Sequence, residues 1–132
     1  MTADRPDRLP SLARVHVLLV EDDPRFAHVL ATVLERCGAL VTAAPSLDAA
    51  LRLLESVVPG VLVVGTRSIA AAAARLAAAG RNPRRPPALA ITTDREDGTG
   101  HEAVPAGFEA CLYRPIELGQ FCRVVSGLAT GR

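Results

Sequence analysis

The chain has 132 residues, 49% of them hydrophobic and 22% charged, with a formal net charge of +1. That length supports one hydrophobic core and a single domain, and near-balanced charge gives no electrostatic footing for a nucleic-acid partner. No apolar run approaches the ~20 residues of a membrane-spanning helix, and the start, with Asp4, Arg5, Asp7 and Arg8, lacks the apolar centre of a secretory signal; a soluble, cytoplasmic protein is expected.

Residues 1–13 are polar and proline-containing and predict a flexible tail, which leaves 14–129 as the folded domain. Residues 15–20 are rich in valine and leucine, the signature of a strand covered on both faces, with His16 in a structural place. Glu21-Asp22-Asp23-Pro24 ends it. Asp23 suits a helix N-cap and Pro24 its first turn, and Phe26, Val29, Leu30, Val33 and Leu34 then recur at helical spacing as far as Gly38, a C-terminal cap.

A second strand is predicted over 39–43. Ser46 caps a helix with the stripe Leu47, Ala50, Leu51 and Leu54, and Pro59-Gly60 stops the next turn. Residues 61–64 are the third strand, and the Ala-rich stretch 68–79 is a helix ending at Gly80. Arg81, Arg84 and Arg85 come next in a Pro-rich loop without aromatic stacking residues, so they are expected to be solvated. The fourth strand covers 88–91. The rhythm of the chain places a helix between Asp94 and Gly107, weakened by Gly98, Gly100 and Pro105; a fifth strand spans 110–113 and a closing helix 117–128. Cys37, Cys111 and Cys122 lack metal-ligand spacing and are expected to be reduced, mostly buried thiols.

Five strands alternating with helices predict the α/β class, an open, doubly wound parallel sheet with helices on both faces. The expected order is flavodoxin-like, 2-1-3-4-5, one of the two common choices. Ligands of such sheets bind beyond the carboxyl ends of the strands. There stand Glu21, Asp22 and Asp23 after the first strand, Gly65 and Thr66 after the third, Thr92 and Thr93 after the fourth, and Arg114-Pro115 after the fifth. Adjacent carboxylates repel one another and invite a cation; the simpler reading is a cap at Asp23 with Glu21 and Asp22 solvated. No Ser-His-Asp or Cys-His arrangement stands out, and His28 and His101 fall on expected surface. Neither a phosphate-binding P-loop nor a G-x-G-x-x-G comes after any strand. The chain is not expected to be an enzyme.

The segments VLLVEDDP (17–24), PGVLVVG (59–65), ALAITT (88–93) and LYRP (112–115), at these separations, resemble the response-regulator receiver domain, the CheY-like domain of bacterial two-component phosphorelay signalling. The resemblance covers about residues 14–129. In that family two acids after the first strand hold magnesium, and an aspartate ending the third strand accepts a phosphoryl group from a sensor kinase. A Ser or Thr after the fourth strand and a Lys after the fifth contact the phosphoryl oxygens. Glu21 and Asp22 match the acidic pair, Thr92 the hydroxyl, and Arg114 the lysine position. The resemblance also implies a cis peptide at Arg114-Pro115.

Three departures stand out. Gly65 takes the place of the phosphoryl-accepting aspartate and has no nucleophile. Arg114 replaces a point-charge ammonium with a longer, forked guanidinium. Cys111 occupies the strand position where many receivers carry an aromatic switch residue. Loss of the carboxylate at 65 leaves Glu21 and Asp22 with a weakened claim on magnesium, so no cofactor is expected, and Arg114 is expected to pair with Glu21 or Asp22 in its stead. The resulting reading is a stand-alone pseudo-receiver that works through protein partners, a sensor kinase or another signalling protein, or through a homodimer on the face of the fourth predicted helix, fifth strand and closing helix. On that face Phe121 is the test residue if it is exposed. The alternatives are a phosphoacceptor displaced to Asp23, Thr66 or Ser68, and a flavodoxin-like small-molecule binder.

Overall fold

In chain order the elements are β1 (His16–Glu21), α1 (Pro24–Arg36), β2 (Leu40–Ala44), α2 (Leu47–Leu53), β3 (Val61–Gly65), α3 (Ile69–Ala79), β4 (Ala88–Thr92), β5 (Ala110–Tyr113) and α4 (Leu118–Thr130). The structure is a computed structural model that describes residues 9–66, 69–79, 85–93, 104–105 and 107–130. All strands run parallel in the order β2-β1-β3-β4-β5, the flavodoxin-like order. Most of the stretch from Asp94 to Gly107, where a further helix is expected, lies outside the described residues, as do Arg81 and Arg84.

Strand pleating sends alternate side chains to opposite faces of the sheet, and among the described residues α1 and α4 cover one face and α2 and α3 the other. On one, Val17, Leu19, Val61, Val63, Leu89, Ile91 and Leu112 pack under Leu30 and Leu34 of α1 and under Phe121, Cys122 and Val125 of α4. On the other, Leu18, Val20, Leu62, Val64, Ala88 and Ala90 meet α2 and α3. Ala72 and Ala73 of α3 and Ala88 and Ala90 of β4 are buried in that layer. Phe121 is fully buried, which removes it from any docking face: its position on α4 points into the sheet.

Local signals set the helix starts as expected. Asp23 Oδ1 accepts the Arg25 N–H at 3.0 Å, and Ser46 Oγ accepts that of Ala49 at 3.1 Å. Glu117 precedes α4 and caps it, its carboxylate accepting the N–H groups of Gly119 and Gln120. Gly38 has φ of 106°, and a Cβ there would come within 3.1 Å of Ala13 N, so the turn after α1 needs glycine on both counts.

Two expectations are corrected. The packed chain begins before residue 14, because Leu12 is completely buried and its N–H donates to Cys37 O at 2.7 Å; Leu9 and Leu12 in a polar, proline-containing stretch are too few to make a periodic signal. Arg85 is not a solvated loop residue either. Its side chain is 7% exposed, pairs with Glu109 at 3.6 Å and donates to Gly107 O at 2.6 Å. Glu109 also accepts the Ala88 N–H at 2.7 Å, so the pair clips the start of β4 to that of β5.

Candidate functional site

At the carboxyl ends of the strands, the last residue of β1, Glu21, lies in register with the last of β3, Gly65. Both continue the alternation that sends Val17, Leu19, Val61 and Val63 toward α1 and α4, and Glu21 is buried. Glu21 Oε2 accepts the Asp23 N–H at 3.0 Å, and Oε1 accepts Arg114 Nη2 at 3.0 Å. The Arg114 N–H is itself anchored on Thr92 O at 2.9 Å, and the Arg114-Pro115 peptide is cis, as the resemblance implies. The guanidinium lies 4.6 Å from the centre of the Phe26 ring in α1, a cation–π contact.

Gly65 makes room for this arrangement. A Cβ built on it would collide with Glu21 Oε1 and stand 3.3 Å from Arg114 Nη2. The pair therefore fills the space that a side chain at 65 would enter. It is a single-point link rather than a two-pronged fork, and among the described residues Arg114 Nε is buried without a hydrogen-bond partner. Burial pushes the Glu21 carboxyl above its usual range, outweighing the pull of the Asp23 amide and then of Arg114, while Asp22 and Asp23 add to the rise.

Glu21, Asp22, Asp23, Pro24, Gly65, Thr66 and Arg114 line a cavity of about 430 Å³. Three of the expected site residues, Thr92, Cys111 and Pro115, do not line it. Thr92 is buried and continues the Ala88–Ala90 alternation toward α2 and α3, and Cys111 packs half-buried on that same side. Asp22 and Thr66 also border a second cleft of about 320 Å³, whose far wall carries Asp48 and Arg75; those two form an ion pair between α2 and α3. Beside Arg114 lies an apolar groove of about 610 Å³ lined by Phe26, Val29, Thr93, Pro115, Ile116 and Leu118. The roles of Phe26 under Arg114 and of the Arg75–Asp48 pair were not read from the sequence, where Phe26 registers only as part of an apolar stripe.

No protein-family model matches the chain. It is 32% identical over 122 residues to an uncharacterised 14.6 kDa protein in the sodA1 3′ region of Leptolyngbya boryana, covering 89% of this chain and 92% of that one. The chain belongs to the family of that protein. Among solved structures it resembles the receiver domain of a Pseudomonas aeruginosa sensor histidine kinase, determined with magnesium in its active-site cleft: TM-score 0.72, 24% identity, 89% of this chain and 98% of that one. A Francisella response-regulator receiver domain aligns with TM-score 0.74 at 20% identity, over 88% and 97% of the two chains. The chemotaxis response regulator CheY4 of Vibrio cholerae gives 0.72 at 17%, over 86% and 98%. The fold is thus the CheY-like receiver fold.

Magnesium, which that fold family implies, does not fit the residues present. Glu21 Oε1 is engaged by a permanently charged guanidinium, and Gly65 supplies no carboxylate. Among the described residues no three His, Cys, Asp or Glu side chains gather in a metal-holding group. Among the same residues no helix is long and apolar enough to cross a membrane.

Proposed function

We propose that this domain is an atypical receiver of two-component signalling that acts by binding protein partners and not by aspartyl phosphorylation. The observation that carries the reading is the Glu21–Arg114 pair seated against Gly65. A phosphorylatable receiver needs a carboxylate nucleophile and a metal to offset charge on the phosphoryl oxygens. Here the nucleophile's position holds glycine, and an internal cation neutralises the acid that would face the metal. The partner class is a sensor kinase or another protein of such a pathway, and no chemical step is assigned to the domain itself.

The test is incubation with acetyl phosphate and magnesium and then intact-mass measurement. The wild-type chain keeps its mass under this reading. A gain of one phosphoryl group, mapped to Asp23, Thr66 or Ser68, would overturn it in favour of a displaced acceptor.

A further inference from the structure

Two of the three cysteines meet where α1 and α4 roof the same face of the sheet. Cys37 is the C-cap of α1 and half-buried; Cys122 lies in α4 and is fully buried. They are 85 positions apart in the chain, yet Cys37 Sγ donates toward Cys122 Sγ at 3.8 Å. The backbone of Cys37 is held on both sides, its N–H donating to Val33 O and Leu34 O and its carbonyl accepting from Leu12 N at 2.7 Å. Cys111 packs on the opposite face of the sheet.

We propose that Cys37 and Cys122 are an oxidation site, a thiol pair that closes to a disulfide tying α1 to α4. Closure brings the sulfurs from 3.8 Å to the ~2.05 Å of a disulfide bond. Access assigns the order of events. Cys37 reaches solvent, whereas burial pushes the Cys122 thiol up to about 12, with Cys37 beside it adding to the rise, so Cys122 is a poor first nucleophile. With hydrogen peroxide as oxidant, the Cys37 thiolate attacks one oxygen, the O–O bond breaks, and the departing hydroxide takes a proton to leave as water. The Cys37 sulfenic acid is then attacked by the Cys122 sulfur, the S–O bond breaks, and the hydroxide leaves with the Cys122 proton as a second water. Two thiols and one peroxide give one disulfide and two waters. The bond would join the helices that supply Phe26, Val29 and Leu118 to the apolar groove.

The experiment treats the purified full chain with hydrogen peroxide, alongside a second sample in oxidised glutathione, and reads both by intact mass and non-reducing peptide mapping. The expected product has lost two hydrogens, links the Cys37 and Cys122 peptides, keeps Cys111 as an unoxidised thiol, and melts on the order of 10 °C higher until reduced. Cys111→Ser should behave as the wild type. Cys37→Ser should lose both the link and the rise in Tm, and Cys122→Ser should hold Cys37 as a sulfenic acid or glutathione adduct. A wild-type chain in which Cys37 accumulates as an adduct or sulfinic acid while Cys122 stays unmodified, or in which Cys111 forms the link, overturns the proposal.

Discussion

Arg114 Nη2 stands 3.0 Å from Glu21 Oε1, beside the point that a Cβ on Gly65 would occupy. Three residues from three strand ends thus depend on one another: the missing side chain admits the pair, and the pair closes the space.

That dependence makes Gly65→Ala informative. The added methyl must push the Glu21 carboxylate off its place, and overpacking of this kind costs about 1–3 kcal/mol. In a Glu21→Ala background the obstacle is gone, so the same substitution should cost less than about 0.5 kcal/mol. Urea denaturation of the four chains in the cycle measures the coupling. Strictly additive costs would show that the two positions do not share space.

Arg114→Ala leaves Glu21 buried without its cation. Removing one partner of a buried pair costs about 3–5 kcal/mol, and the Arg114 side chain is 30% exposed, which lowers the expected loss to about 1–3 kcal/mol. Arg114→Lys keeps the charge but gives up the planar contact with Phe26, so it should recover only part of the loss. Full recovery by lysine would mean that stacking on Phe26 adds nothing.

The raised Glu21 carboxyl sets a pH dependence. Its folded value lies above the ordinary value of 4.5, chiefly through burial, so the folded state binds the proton more tightly than the unfolded one. The associated stability is fully present below the ordinary value and is lost as pH rises through the raised one. Glu21→Gln removes this titration. The stability of wild type relative to Glu21→Gln should therefore fall as pH rises from about 4 to 7, as tracked by thermal melts in matched buffers. A difference that is flat or rises over that interval would contradict the sign.

Far from the site, Arg85→Met should destabilise the join of β4 and β5. It removes the Arg85 ion pair from Glu109 and a donor from Gly107 O, a loss of about 1–3 kcal/mol. Amide exchange at Ala88 and Glu109 should accelerate more than at Val63; uniform change across the sheet would point to global unfolding instead.

How much of the fold and site is legible in the sequence depends on the range of the interaction. Short apolar runs mark the strands, valine-rich in β1 and β3 and alanine-containing in β2, β4 and β5, and 110–113 coincides with β5 to the residue. Period and capping are local, so Asp23 and Ser46 can be read as caps from the sequence. The pairing of Arg114 is legible only as a choice between Glu21 and Asp22. What decides it is the pleat of β1, which sends Glu21 to the Gly65 side, and that depends on where the strand ends. Leu12 in the core, Phe26 beneath the guanidinium, Arg85 on Glu109 and the Cys37–Cys122 contact all join residues distant in sequence. No local pattern encodes such contacts.

The central claim is that an internal cation and a glycine have replaced the metal and the acceptor. Magnesium titration monitored by the amide NMR shifts of Asp22, Gly65 and Thr66 tests it most directly. The account predicts no saturable shift up to ~10 mM, where a competent carboxylate site would fill. Saturable shifts centred on Asp22 and Gly65 at lower concentration, in the wild-type chain with Arg114 intact, would contradict it.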